Sequence, residues 1–247
     1  MAVLVEACVD AIDAAIEAQA GGAGRVELCG ELLQGGVTPS AGLTAAVRER
    51  LAIPVFVLIR PRTGDFLYTA DECDVMRRDI NIAKQVGADG VAFGALNAAG
   101  DVDADTMREL MSAARPMAVT FHRAFDFSRD QDSALDALLE LGVDRVLTSG
   151  GAGSALEGAH VLRQLAQRAG PALRILAGGS ITPSNVAEVV RLSGALEVHT
   201  RAAVRLESTM AYRRPGVTLA RGQTLSEYDR NATSAGEVAR VVAALSS

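Results

Sequence analysis

Two hydrophobic periods alternate along this chain. Short apolar, β-branched runs recur at 3–8 (VLVEAC), 25–29 (RVELC), 54–60 (PVFVLIR), 90–96 (GVAFGAL), 117–123 (MAVTFHR), 145–149 (RVLTS), 174–178 (RILAG) and 195–200 (ALEVHT). Each has the length of a buried strand. Between them the period lengthens to that of a helix, near 10–20, 41–51, 70–86, 103–114, 131–141, 154–169, 184–192 and 235–245. Met107, Leu110, Met111 and Ala114 form the cleanest stripe, at i, i+3, i+4 and i+7. Val186, Val189 and Val190 repeat it after Thr182-Pro183, where a proline at the first helical position is expected. Eight strand–helix pairs in order predict a single-domain (β/α)8 TIM barrel of α/β class. The competing open, doubly wound sheet wants a GxGxxG turn after its first strand, and here Cys8-Val9-Asp10 runs straight into a helix. The segment 201–233 is too long for an ordinary connection and is read as an irregular lid or oligomer contact before the last helix.

Alternation within strands sorts the polar residues. Leu4, Glu6 and Cys8 share a face, as do Arg25, Glu27 and Cys29. So do Leu58, Arg60 and Arg62; Thr120 and His122; and Glu197, His199 and Arg201. Facing the apolar helices they would be buried without partners, so they are expected to face the barrel interior and its mouth. A single carboxylate there could simply pair with Arg60. Three glutamates, two histidines and several arginines together predict a working site, because barrel interiors are normally layers of Val, Ile and Leu.

Two chemistries fit these residues. In one, His122 is a general acid or base, with Glu6, Glu27 or Glu197 as the partner carboxylate and Asp126 orienting Arg123. Arg60, Arg62, His199 and the glycine loops Ser149-Gly150-Gly151 and Gly178-Gly179 would then hold an anion, a phosphate or carboxylate, on backbone N–H groups. Those glycines could equally serve tight turns. In the other, Cys8 and Cys29 close neighbouring strands about 4.8 Å apart. Two soft thiolates suit Cu(I) better than zinc, which wants four ligands. Free cysteines are also common core residues, the reading that fits Cys73 on a helix.

Composition narrows the field. Aromatic residues make up 4% of the chain, tryptophan is absent and the net charge is −6, which argues against nucleic-acid binding. No basic leader and no long apolar run is visible, so neither a targeting segment nor a membrane span is expected. An odd count of three cysteines suits a reducing cytoplasm. Lys84 is the sole lysine and falls in a predicted helix, which leaves no Schiff-base amine at a strand end.

VEACVD, RVELC, GGVTPS, PVFVLIRPRTGDFLY, GADGVAFGALNAAGDVD, VTFHRAFD, DRVLTSGGAGSALEG and LEVH, in this order, resemble the CutC family of copper homeostasis proteins. The resemblance implies a TIM barrel, a cytoplasmic location and homo-oligomers, dimer or tetramer. It also implies Cu(I) binding with Cys8 and Cys29 as ligands; on the residues themselves, Glu6 or His122 is expected to complete such a site. The alternative is a barrel enzyme of lyase, isomerase or hydrolase type acting on a small anionic or phosphorylated metabolite.

Overall fold

The computed structural model describes residues 2–218 and 226–246. Strands β1 (Leu4–Val9), β2 (Arg25–Leu28), β3 (Val55–Leu58), β4 (Gly90–Phe93), β5 (Ala118–Phe121), β6 (Arg145–Thr148), β7 (Arg174–Gly178) and β8 (Glu197–Thr200) pair in parallel and in chain order. β8 returns to β1, with Glu6 opposite His199, and closes the barrel. Around it run α1 (Ile12–Ala20), α2 (Ala41–Arg48), α3 (Ala70–Gln85), α4 (Ala104–Ala114), α5 (Gln131–Leu141), α6 (Ala159–Ala169), α7 (Val186–Ser193) and α8 (Ala235–Ala244).

Local chemistry starts the helices where the sequence allows. Thr69 and Glu72 form a reciprocal capping box on α3, and Asp103 and Asp130 accept the free N–H groups opening α4 and α5. The apolar stripes they present, such as Met107, Leu110, Met111 and Ala114, are buried against outward-facing strand residues including Val91 and Val119. Lys84 lies on α3 and donates to the carbonyls of Ala113 and Arg115, so it fastens α3 to the end of α4.

Several boundaries differ from the sequence reading. α6 begins at Ala159, because Ser154 and Glu157 cap one another in a turn ahead of it. α7 begins at Val186 and Pro183 precedes it; the Asn185 side chain ties Thr182 and Ser180 into a turn there. β3 and β5 stop at Leu58 and Phe121, short of the expected 60 and 123. Arg60 and His122 therefore sit on the loops just above the barrel rim. The stretch 201–233 contains an antiparallel ribbon, β9 (Ala203–Glu207) with β10 (Asp229–Thr233), where irregular chain was expected. Residues 219–225 of that stretch lie outside the described residues.

Candidate functional site

The polar residues expected inside the barrel are there, in two tiers. The lower tier is ionic. Arg25, opening β2, donates from Nε to Glu6 and from Nη2 to Glu197 at 2.7 Å. Arg145, opening β6, reaches the same Glu197 oxygen at 2.7 Å. Both guanidinium carbons lie against the Phe56 ring, 4.9 and 5.1 Å from its centroid. Buried charges persist only when paired and hydrogen-bonded, and this tier meets that condition internally. Glu197 was expected at the mouth. It is the first residue of β8 and is spent on two arginines below the cavity. Arg145 was missed; its position opening a strand, two residues before Leu147 on the inward face, was the available signal.

The upper tier carries the chemistry. Cys8 near the end of β1 and Cys29 just after β2 bring their sulfurs to 3.5 Å. The Glu27 Oε2 atom lies 3.5 Å from each sulfur. His199 stands beside them, with Nδ1 2.8 Å from Glu6 Oε1 and Nε2 3.8 Å from Glu27 Oε2. The Glu6 carboxylate thus joins the tiers, gripped from below by Arg25 and from above by His199.

Neighbours divide the protons unevenly. Contact with the Cys29 thiol pulls the Cys8 thiol down to about 5 against the desolvation of burial, with His199 and Glu27 adding to the pull. Burial pushes Cys29 well above the usual thiol range, and the charge on Cys8 adds to the rise. Burial and the Cys8 charge lift Glu27 to about 8. Burial opposes the ionised form of Glu6, yet Arg25 and His199 hold it down at about 2. Burial likewise opposes the imidazolium of His199, but Cys8, Glu6 and Glu27 raise it well above its ordinary value. At neutral pH the set holds a Cys8 thiolate beside a His199 imidazolium, with Cys29 and Glu27 protonated.

A cavity of about 110 Å³ opens above this cluster, lined by Cys8, Glu27, Cys29, Arg60, His122 and His199 among others. The thiol corner and the Arg60–His122 side therefore belong to one site. Phe66, from the loop after β3, packs tilted against His122 at 5.0 Å between centroids and carries Arg60 on its face at 5.1 Å. Burial, then Arg60, drives the His122 imidazolium down to about 3, so the ring is neutral.

Other expected site residues have different work. Arg62 turns away from the cavity to Glu72, at 2.6 Å, and to the carbonyls of Asp65 and Leu67. Asp126 does hold Arg123, at 2.7 Å. Its carboxylate also accepts from the N–H groups of Ser149 and Gly151 and from the Thr148 hydroxyl. The Gly150 N–H goes to Thr148 Oγ1. The strand-six loop expected to cradle a phosphate already cradles a carboxylate of its own chain. Gly178 is needed for packing, since a Cβ there would come within 2.4 Å of Leu147. Gly179 has φ +107° and its carbonyl accepts from Ala155, a turn role. The group whose possible ligand atoms all lie within 4.8 Å of one another is Cys8, Glu27 and Cys29, without Glu6 or His122.

Fold and site together define a (β/α)8-barrel protein with a thiol–carboxylate–imidazole cluster inside its mouth. The CutC family model matches residues 3–204, and the chain belongs to the CutC family, a family of copper homeostasis proteins. It is 46% identical over 235 residues to the copper homeostasis protein cutC homolog of Mus musculus, covering 95% of this chain and 86% of that protein. The Homo sapiens homolog is 45% identical with the same coverage. The solved CutC structure from Streptococcus agalactiae superposes with a TM-score of 0.78 at 30% identity, over 81% of this chain and 98% of that one. N-(5'-phosphoribosyl)anthranilate isomerase from Pyrococcus furiosus, at 14% identity and a TM-score of 0.57 over 99% of this chain and 98% of that one, shares the fold.

Proposed function

We propose that the chain binds Cu(I) in a reducing cytoplasm, through the sulfurs of Cys8 and Cys29 with Glu27 beside them. One observation carries this reading: two thiol sulfurs lie 3.5 Å apart in a buried site, with the Glu27 carboxyl 3.5 Å from each. Arg60 across the cavity aside, the ionised groups of the two tiers balance. Glu6, Glu197 and Cys8 supply three negative charges against Arg25, Arg145 and His199. Exchanging the Cys29 proton for Cu⁺ leaves that balance unchanged, whereas a divalent ion would add a buried positive charge. Two sulfurs also suit a soft monovalent ion and fall short of the four ligands of structural zinc.

Anaerobic titration under reducing conditions, read by competition with a Cu(I) chelator, is expected to give about one ion per chain. The Cys8→Ala, Cys29→Ala double variant is expected to take up none. Equal uptake by that variant would sink the proposal. We read the β9–β10 ribbon as the contact through which chains form homo-oligomers, and the test of that is argued at the scale of the whole molecule.

A further inference from the structure

Arg60 is 7% exposed, yet among the described residues its guanidinium has no carboxylate partner. Its Nη1 donates to the carbonyls of Gly36 at 2.8 Å and Gln34 at 3.3 Å, and its Nη2 to that of Gly64 at 2.6 Å. These carbonyls fix the group without neutralising it, and the Nε–H is left buried without a hydrogen bond, as is the Tyr68 hydroxyl beside the guanidinium. Every other charge in the barrel interior has its opposite.

His122 repeats the pattern. It is 4% exposed, and its Nδ1 accepts the Ala124 N–H, which places the ring proton on Nε2. That Nε2–H is also buried with no acceptor. Both side chains line the one cavity, on either side of Phe66, with Leu58 and Leu147 completing an apolar wall. An unsatisfied buried donor costs about 1–3 kcal/mol. Two of them, one on an uncompensated cation, mark the place of an absent acceptor.

We propose that the mouth binds a small organic carboxylate, its oxygens on Arg60 Nε–H and His122 Nε2–H and its short apolar body against Phe66, Leu58 and Leu147. Two donors match two oxygens. A phosphate dianion fits less well: the Ser149 and Gly151 N–H groups that would cradle it are taken by Asp126, and the Cys8 thiolate shares the cavity. At about 110 Å³ the cavity is well below the roughly 300–1,000 Å³ of drug-sized pockets, which limits the ligand to a few carbons. This subsite is independent of copper, since neither donor belongs to the sulfur cluster.

The test is a titration of protein labelled with ¹⁵N at histidine and arginine, using acetate, propionate and pyruvate, with inorganic phosphate in parallel. At least one carboxylate is expected to move the His122 Nε2 and Arg60 Nε signals along one saturating curve. His122→Phe, which keeps a ring against Phe66 but removes the Nε2–H donor and the Nδ1 acceptor of the Ala124 N–H, is expected to weaken binding about tenfold or more in protein shown by its melting temperature to remain folded. His122→Gln, which restores an N–H, should recover part of it. Cys8→Ser, Cys29→Ser should bind the carboxylate as before while losing copper, which separates this proposal from the metal reading. Saturation by none of the three carboxylates, preference for phosphate, or undiminished binding by His122→Phe would each overturn it.

Discussion

At the scale of single residues, the site's proton inventory sets how copper affinity depends on pH. A thiol must lose its proton to ligate, so each protonated thiol contributes one released proton. Cys8 is ionised from about pH 5 and Cys29 stays protonated above the usual thiol range. Between about pH 6 and 8, Cu(I) should therefore displace about one proton, and apparent affinity should rise about tenfold per pH unit. Two ordinary thiols would give about a hundredfold. Chelator competition at several pH values measures the slope directly, and a slope near two would mean that Cys8 is not ionised. Glu27→Gln, which keeps the shape of the group but not its proton, is expected to retain both copper and slope. A variant slope lower by one would make Glu27 the proton source. These residue roles were only partly legible in the sequence. Period-two alternation puts Glu6, Cys8, Glu27, Cys29 and His199 on one face, but it does not say which carboxylate meets the sulfurs. That depends on strand register, which sets Cys8 opposite Glu27.

At the scale of elements, one carboxylate organises the β5 and β6 loops. Asp126 closes the short turn after His122 and gathers the Thr148 hydroxyl, the Ser149 and Gly151 N–H groups and Arg123. Hydrogen bonds to a charged group contribute about 1.5–3 kcal/mol each, although such terms are not additive. Asp126→Ala is expected to lower stability by about 2–4 kcal/mol in urea denaturation, with copper stoichiometry unchanged. A variant as stable as the native chain would remove the anchoring role. The glycine loops misled the sequence reading for a related reason. A Gly-rich turn at a strand end shows that N–H groups are available, and it cannot show that an aspartate 23 residues away has already engaged them. Helices and strands were legible because their periods are local. Cap positions such as Asn185, and the early ends of β3 and β5, depend on side-chain contacts that periodicity does not carry.

At the scale of the whole molecule, the ribbon is the part the barrel alone does not explain. A free two-stranded ribbon is marginal in water, because each strand leaves one edge unpaired. Here its base is fastened: Thr233 Oγ1 donates to the carbonyls of Cys8 at 3.3 Å and Arg201 at 3.1 Å, Arg230 pairs with Asp13, and Ala235 N–H reaches Glu17 at 3.0 Å. Its far end is not. Leu206, Met210, Tyr212 and Val217 are exposed apolar side chains on or near it. A second copy covering that face would bury them and shield a strand edge, which is the basis for reading the ribbon as an oligomer contact. Sedimentation velocity of the native chain is therefore expected to show a dimer or larger assembly. Met210→Asp, Tyr212→Asp should shift it toward the single chain, because two desolvated carboxylates would oppose the contact. Copper stoichiometry should survive, since the Thr233 anchor behind Cys8 is untouched. A native chain that sediments as a monomer, or a variant that assembles as before, would rule out this contact.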